Sequence, residues 1–350
     1  MGILVALLVL SVLIFFHELG HFSMARFFGV RVEVFSIGFG KKLLSKRFGD
    51  TLWTLSLIPL GGYVKMKGQD DLDPSKISYD DDSYNSKRPW QRILILLAGP
   101  FANFLMAFML YFAIASMGVP KLLAQVGTVA KDSPALKASL QKEDIILEIN
   151  GQKVQYWEEI SPLINGKSQN LRLVIVRDKK LVDIVLVPKT IKDQNLFGEE
   201  IERKIIGISP LGTQTTVYYG LVDGLVYAWE ETQKASLLIV QSLEKLLSGV
   251  VGADKVGGII TIVDVTAEAS HSGILALFFF TALISVNLGV LNLLPIPALD
   301  GGHIMFNLYE MLTGKTANEK IMMYLTLLGW VLLGSLMFLG LYNDINRLLG

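Results

Sequence analysis

The chain has 350 residues, of which 51% are hydrophobic and only 18% charged, and it contains no cysteine. It is too apolar for an ordinary soluble domain of this length, and without cysteine it has no disulfides, thiolate nucleophiles or Cys-based metal sites. Its 32 basic residues balance 32 acidic ones, so no net field argues for nucleic acid and no nucleic-acid partner is expected.

The run from Met1 to Phe16 carries no charged side chain, and its apolar character resumes at Phe22 to Phe28. One helix over about residues 2–28 is therefore expected to cross the bilayer. A cleaved signal peptide fits poorly, because no basic segment precedes the run and no small-residue cleavage site follows it before Arg26. His17-Glu18-Leu19-Gly20-His21 lies inside this span. Residues i and i+4 share a helix face, so both imidazoles can reach one Zn²⁺, and Glu18 is placed to act as general base. Ionisable groups inside a span are costly enough that function is the expected reason for them.

The next segment, about residues 32–67, is no plain linker. Val32 to Phe39 and Thr51 to Ile58 are rich in β-branched and aromatic residues, with glycines at 38, 40, 49, 61 and 62, which predicts short strands joined by tight turns. Gln69 to Lys87 is polar and acidic, with Asp70, Asp71, Asp73, Asp80, Asp81 and Asp82. It lacks EF-hand spacing and reads as a solvated loop. A second span is expected over about residues 93–119, closing an N-terminal membrane core of 1–119.

From Leu122 to about residue 190, strand-like pieces (Ile145 to Ile149, Leu171 to Arg177) alternate with a helical pattern at Ser133 to Leu140 and an Asn150-Gly151 turn. This predicts a compact α+β domain. Residues 191–271 should form a linker and amphipathic helices, since Gly220 to Gly249 sets apolar residues at helical spacing but interrupts them with charges. These helices pack on the preceding domain or lie on the membrane surface.

A C-terminal membrane core, 272–350, should hold two more spans, at about 272–299 and 321–342. Lys and Arg cluster between the first two spans (Lys41, Lys42, Lys46, Arg47, Lys65, Lys67, Lys87, Arg88) and recur between the last two (Lys315, Lys320). Both segments are then cytoplasmic, and the 122–190 domain faces the exterior. A catalytic zinc needs a third protein ligand. Asp300 and His303 both follow Pro295 and Pro297, which should break the third span near its inner end; His271 is expected at the outer edge. An N-cap for the next helix and an interfacial charge are the bland alternatives for Asp300.

The chain resembles the site-2 protease family, in particular its bacterial members similar to the regulator of sigma-E protease. The resemblance rests on HELGH, on Asn292 to His303 with Leu299-Asp300-Gly301, on Phe35-Ser-Ile-Gly-Phe-Gly-Lys41, and on Ile58-Pro-Leu-Gly-Gly-Tyr-Val-Lys-Met66. It implies zinc held by His17, His21 and Asp300, with Glu18 as base. It further implies Asn292 as a substrate contact or oxyanion stabiliser, and a membrane-associated β element at Gly38, Phe39 and Gly40 that pairs with an unwound substrate.

The implied fold is a polytopic α-helical membrane protein of about four transmembrane helices with an extracytoplasmic α+β PDZ-like domain. Val126-Gly-Thr-Val-Ala130, Ser133-Pro-Ala-Leu136 and Asp144 to Gly151 resemble one PDZ copy, where the sigma-E type has two. Glu143 stands where a glycine is usual, and Ile259 where a proline is usual. The implied activity is regulated intramembrane proteolysis in the bacterial cytoplasmic (inner) membrane, with the active site near its cytoplasmic side. The implied partners are the lipid bilayer, single-span membrane proteins (anti-sigma-factor-like proteins or signal-peptide remnants), and a peptide C-terminus at the PDZ-like domain.

Two other classes compete with an enzyme. An ion-coupled transporter would also place His, Glu and Asp beside helix breaks, but HELGH has no counterpart in a repeated half. In a membrane-tethered PDZ scaffold the histidines would be incidental.

Overall fold

The computed structural model describes residues 2–69, 78–166 and 169–349. The chain divides into two units, Met1–Ile114 with Val222–Gly350, and Ala115–Leu221. It enters the first unit through α1 (Gly2–Phe27). With Leu, Val, Ile and Phe on every side and no water to bond in hydrocarbon, this segment satisfies its backbone internally as a helix.

β1 (Val32–Phe48) and β2 (Thr51–Met66) follow as an antiparallel pair. Both run well past the expected ends at Phe39 and Ile58. The reason lies at Gly38 and Gly40, whose φ values of 87° and 82° bend β1 without ending it. Val34 to Ile37 form a central strand, paired on one side with Leu52 to Leu55 and on the other with Gly62 to Lys65. Within the acidic run, Asp80 and Asp82 take Lys67 Nζ at 2.9 and 2.5 Å, fastening this stretch to the end of β2. Those hydrogen bonds, Asp82 first, hold the Lys67 ammonium above its ordinary pKa. Asp70, Asp71 and Asp73 lie outside the described residues. α2 (Pro89–Met117) then forms a 29-residue helix.

The second unit holds β3 (Val119–Leu122), β4 (Val126–Val129), α3 (Pro134–Lys137), β5 (Ile145–Ile149), β6 (Gln152–Lys153), α4 (Ile160–Ile164), β7 (Leu171–Arg177), β8 (Lys180–Leu186), β9 (Lys189–Gln194), β10 (Glu200–Ile205), β11 (Ile208–Pro210) and β12 (Gln214–Val217). One antiparallel sheet runs in the order β6-β5-β7-β8. Leu171, Leu173 and Ile175 alternate along β7 into a core shared with Ile146, Ile149 and Ile206. The unit continues to Leu221 because β11 and β12 return to pair with β4 and β3.

The chain re-enters the first unit through α5 (Leu221–Leu247), α6 (Ile259–Ser272), α7 (Ile274–Asn292), α8 (Asp300–Thr313) and α9 (Glu319–Leu349). Asp344 of α9 caps α6, accepting the Gly258, Ile260 and Thr261 N–H groups at 3.0, 2.9 and 3.1 Å. α7 ends short of the expected Leu299, since Pro295 and Pro297 cannot continue a helix.

Gly301 and Gly302 let the broken segment fold back on α8. A Cβ at either would lie 2.3 or 2.4 Å from the carbonyl oxygens of Leu294 and Ile296, a contact no other residue tolerates. Among the described residues, four helices, α1, α2, α7 and α9, are long and apolar enough to cross a membrane, and the chain is a multi-pass membrane protein with a β element.

Candidate metal centre

His17 and His21 stand one turn apart on α1, and Asp300 is the first residue of α8. The two Nε2 atoms are 3.2 Å apart, and Asp300 Oδ2 lies 3.4 Å from each. A tetrahedral ion with ligands at about 2.05 Å has ligand–ligand edges of about 3.3 Å, so these three atoms occupy three corners of a zinc-sized tetrahedron. Asp300 Oδ2 is buried with no hydrogen-bond partner. A carboxylate oxygen orphaned beside two convergent imidazole nitrogens fits a cation, and the donor set of two imidazoles and one carboxylate suits zinc.

α2 supplies the surroundings. Ile95, Gly99 and Asn103 are spaced four residues apart, on one helix face. The Ile95 carbonyl lies 2.9 Å from His21 Nδ1 and accepts its proton, which leaves Nε2 with a free lone pair for a metal. Gly99 leaves room for the same ring. Asn103, fully buried, reaches His17 Nδ1 at 3.1 Å. Arg92, one turn before Ile95, holds Glu310 of α8 at 2.5 Å. Sequence reasoning missed Asn103; the available signal was a carboxamide in an otherwise charge-free apolar run.

Glu18 is half-buried beside this group. β2 passes close over it: a Cβ on Gly62 would lie 3.2 Å from Glu18 Cγ. Among the described residues, the strand from Gly62 to Lys65 pairs on one side only, and its Gly62 end lies beside Glu18. Gly38, Phe39 and Gly40 form the bend of β1, with Phe39 exposed and stacked on Tyr63 at 6.3 Å. Asn292 closes α7 at the start of the break that leads to Asp300.

His303 is not in the convergent group. Its ring meets Phe306 edge-on at 6.1 Å and lines a cavity of about 220 Å³ with Arg92, Asn307 and Glu310. His271 sits in the last turn of α6.

A family model described as Peptidase family M50 matches residues 5–336. The chain is 48% identical over 347 residues to the Campylobacter jejuni protein named "Putative zinc metalloprotease Cj1068", covering 99% of this chain and 94% of that one. A Helicobacter pylori (strain J99) protein of the same designation is 42% identical over 352 residues, covering 99% of each. The Bacillus subtilis "Regulator of sigma-W protease RasP" is 28% identical over 420 residues, covering 98% of this chain and 97% of that one.

Proposed function

The chain belongs to peptidase family M50, the site-2 protease family, and is a zinc metalloendopeptidase; from that membership we propose that it cuts single-span membrane proteins inside the bilayer. The observation that carries this reading is the tetrahedral spacing of His17 Nε2, His21 Nε2 and Asp300 Oδ2, at 3.2 and 3.4 Å, between elements flanked by spanning helices. His17, His21 and Asp300 are the proposed zinc ligands and Glu18 the general base.

Zinc held there supplies a Lewis acid that lowers the pKa of water and polarises a carbonyl. Glu18 accepts a proton from the attacking water, the water oxygen adds to the scissile carbonyl carbon, and the proton passes to the departing amine as the C–N bond breaks. A helical substrate must first unwind, which frees backbone groups that cannot stay unpaired in hydrocarbon. The single-sided strand beside Glu18 and the bend at Gly38, Phe39 and Gly40 are proposed to receive them by strand addition. Asn292, at the helix break, is the proposed polar contact to the substrate backbone.

The unit Ala115–Leu221 is proposed to be an extracytoplasmic PDZ-like domain that takes a peptide C-terminus and governs access. Its Ser133 caps α3 by accepting the Leu136 N–H at 3.1 Å, and Asn150 and Gly151, with φ of 50° and 80°, make the turn after β5. The Lys and Arg residues around β1, β2 and α8–α9 support a cytoplasmic side for those connections; the proposed membrane is the bacterial inner membrane, with the active site near its cytoplasmic face.

The test is cleavage of a purified single-span protein in liposomes, with and without a zinc chelator, and mapping of the cut by mass spectrometry. A zinc-dependent cut within the span supports the reading. Cuts confined to soluble segments overturn it.

A further inference from the structure

We propose that Asn103 is a positioning residue that fixes the tautomer of His17. The inference rests on the reading of His17 as a zinc ligand and adds to it a residue outside the HELGH and Leu299-Asp300-Gly301 motifs.

A histidine that binds metal through Nε2 must carry its proton on Nδ1, and something must accept that proton. For His21 the acceptor is a backbone carbonyl, Ile95 O at 2.9 Å, which has no donor form and leaves no choice. Among the described residues, no carbonyl accepts from the His17 ring. Its Nδ1 faces the Asn103 carboxamide at 3.1 Å, and a carboxamide has two faces. With its nitrogen toward the ring, Asn103 donates to Nδ1 and drives the proton to Nε2, where it would block the metal position. A half-turn of the carboxamide presents Oδ1 instead, which accepts the Nδ1 proton and frees Nε2.

The loaded enzyme requires the second arrangement, because a metal on Nε2 leaves the ring proton on Nδ1, and two observations show that the carboxamide is available for it. Oδ1 is buried at 0% exposure with no partner, so no other bond to the oxygen holds the carboxamide against the half-turn. Asn103 is also held in place independently of its side chain, since its backbone carbonyl accepts the Ser285 hydroxyl of α7 at 2.8 Å. A structural role in joining α2 to α7 is thus met by the backbone alone, and the carboxamide is left to the ring. Ile95 and Asn103, two turns apart on one face of α2, then serve the two histidines in the same way, one through the main chain and one through a side chain.

The experiment measures zinc affinity by competition with a chromogenic chelator, on the purified full chain in detergent. The variants are Asn103→Leu, which removes the acceptor at similar volume, and Asn103→Asp, which can only accept. Asn103→Leu should bind zinc about 10- to 100-fold more weakly, while Asn103→Asp stays within a few-fold of the parent. If Asn103→Leu does not fold, Asn103→Ala takes its place in the same comparison. Equal zinc affinity in the parent and the Leu or Ala variant overturns the proposal, and so does equal weakening in the Asp and Leu variants, which would mark Asn103 as packing only. His17→Ala separates the two levels: if it binds zinc like the parent, the ligand assignment itself fails, whereas if it loses zinc and Asn103→Leu does not, only the role of Asn103 fails.

Discussion

Gly99 of α2 lies directly against the ring of His21: a Cβ at this position would stand 2.2 Å from Nε2 and 2.5 Å from Cε1. No rotation of a methyl group relieves such a contact, so the ring must leave its place for any side chain to enter. In a helix, replacing glycine with alanine is itself favourable by about 1 kcal/mol. Displacing the buried His21 ring also gives up its bond to the Ile95 carbonyl, which offsets that gain, so Gly99→Ala should not stabilise the metal-free protein and should lose bound zinc and activity. Elemental analysis of the purified variant decides this, and a full zinc complement would mean that the ring has another place to bind from.

The choice between Asp300 and His303 as third ligand can be tested with two variants. Imidazole is the commoner zinc ligand, but His303 lies a turn further along α8 and faces the cavity it shares with Arg92 and Glu310. Asp300 Oδ2 is 3.4 Å from both imidazoles, and its charge partly offsets that of a dication in a low-dielectric site. Asp300→Asn should lose zinc and activity together, and His303→Ala should keep zinc and at least part of the activity. Zinc loss confined to the His303 variant would reverse the assignment.

Glu18→Gln keeps shape and polarity but cannot accept a proton. It should retain near-stoichiometric zinc while cleavage falls by at least about 100-fold, the range expected for losing a general base. Parental turnover with this variant would remove Glu18 from the mechanism.

The long apolar helices and the pairing of the two histidines are legible because their signals are local: length and hydropathy for α1, α2, α7 and α9, and i, i+4 spacing for His17 and His21. Asp300 was narrowed to two candidates by the prolines before it and separated from His303 only by resemblance, since the direction in which the chain re-enters a helix after a break is set by packing. Gly301 and Gly302 against the Leu294 and Ile296 carbonyls set that direction, and nothing in their spacing announces it. The same limit hid the outer shell. Gly99 and Asn103 matter through contact with another helix, and sequence periodicity does not report which face of an all-apolar helix meets which neighbour. β1 is longer than its sequence suggests because glycine reads as a turn, whereas Gly38 and Gly40 bend a strand that goes on to Phe48.

In the second unit, Asp144 is 1% exposed as a side chain and takes Arg177 in a two-pronged pair, Nε to Oδ1 at 2.8 Å and Nη2 to Oδ2 at 2.6 Å. It also accepts the Gln141 N–H at 2.7 Å. Those hydrogen bonds hold the Arg177 guanidinium above its ordinary pKa. Removing only the cation leaves a buried carboxylate with one backbone donor, a change that costs about 3–5 kcal/mol. Arg177→Met should thus raise amide hydrogen exchange across β5, β7 and β8 in the full-length protein by about two to four orders of magnitude, at 1.4 kcal/mol per factor of ten. Adding Asp144→Asn should restore much of the protection, because the charge that lacked a partner is gone. Zinc content should not move in either variant, as none of the proposed ligands belongs to this unit. If cleavage of some substrates changes while zinc and the cleavage of others stay constant, the unit selects substrates. If zinc is lost along with the protection, the metal centre depends on this unit and the division between chemistry and access is wrong.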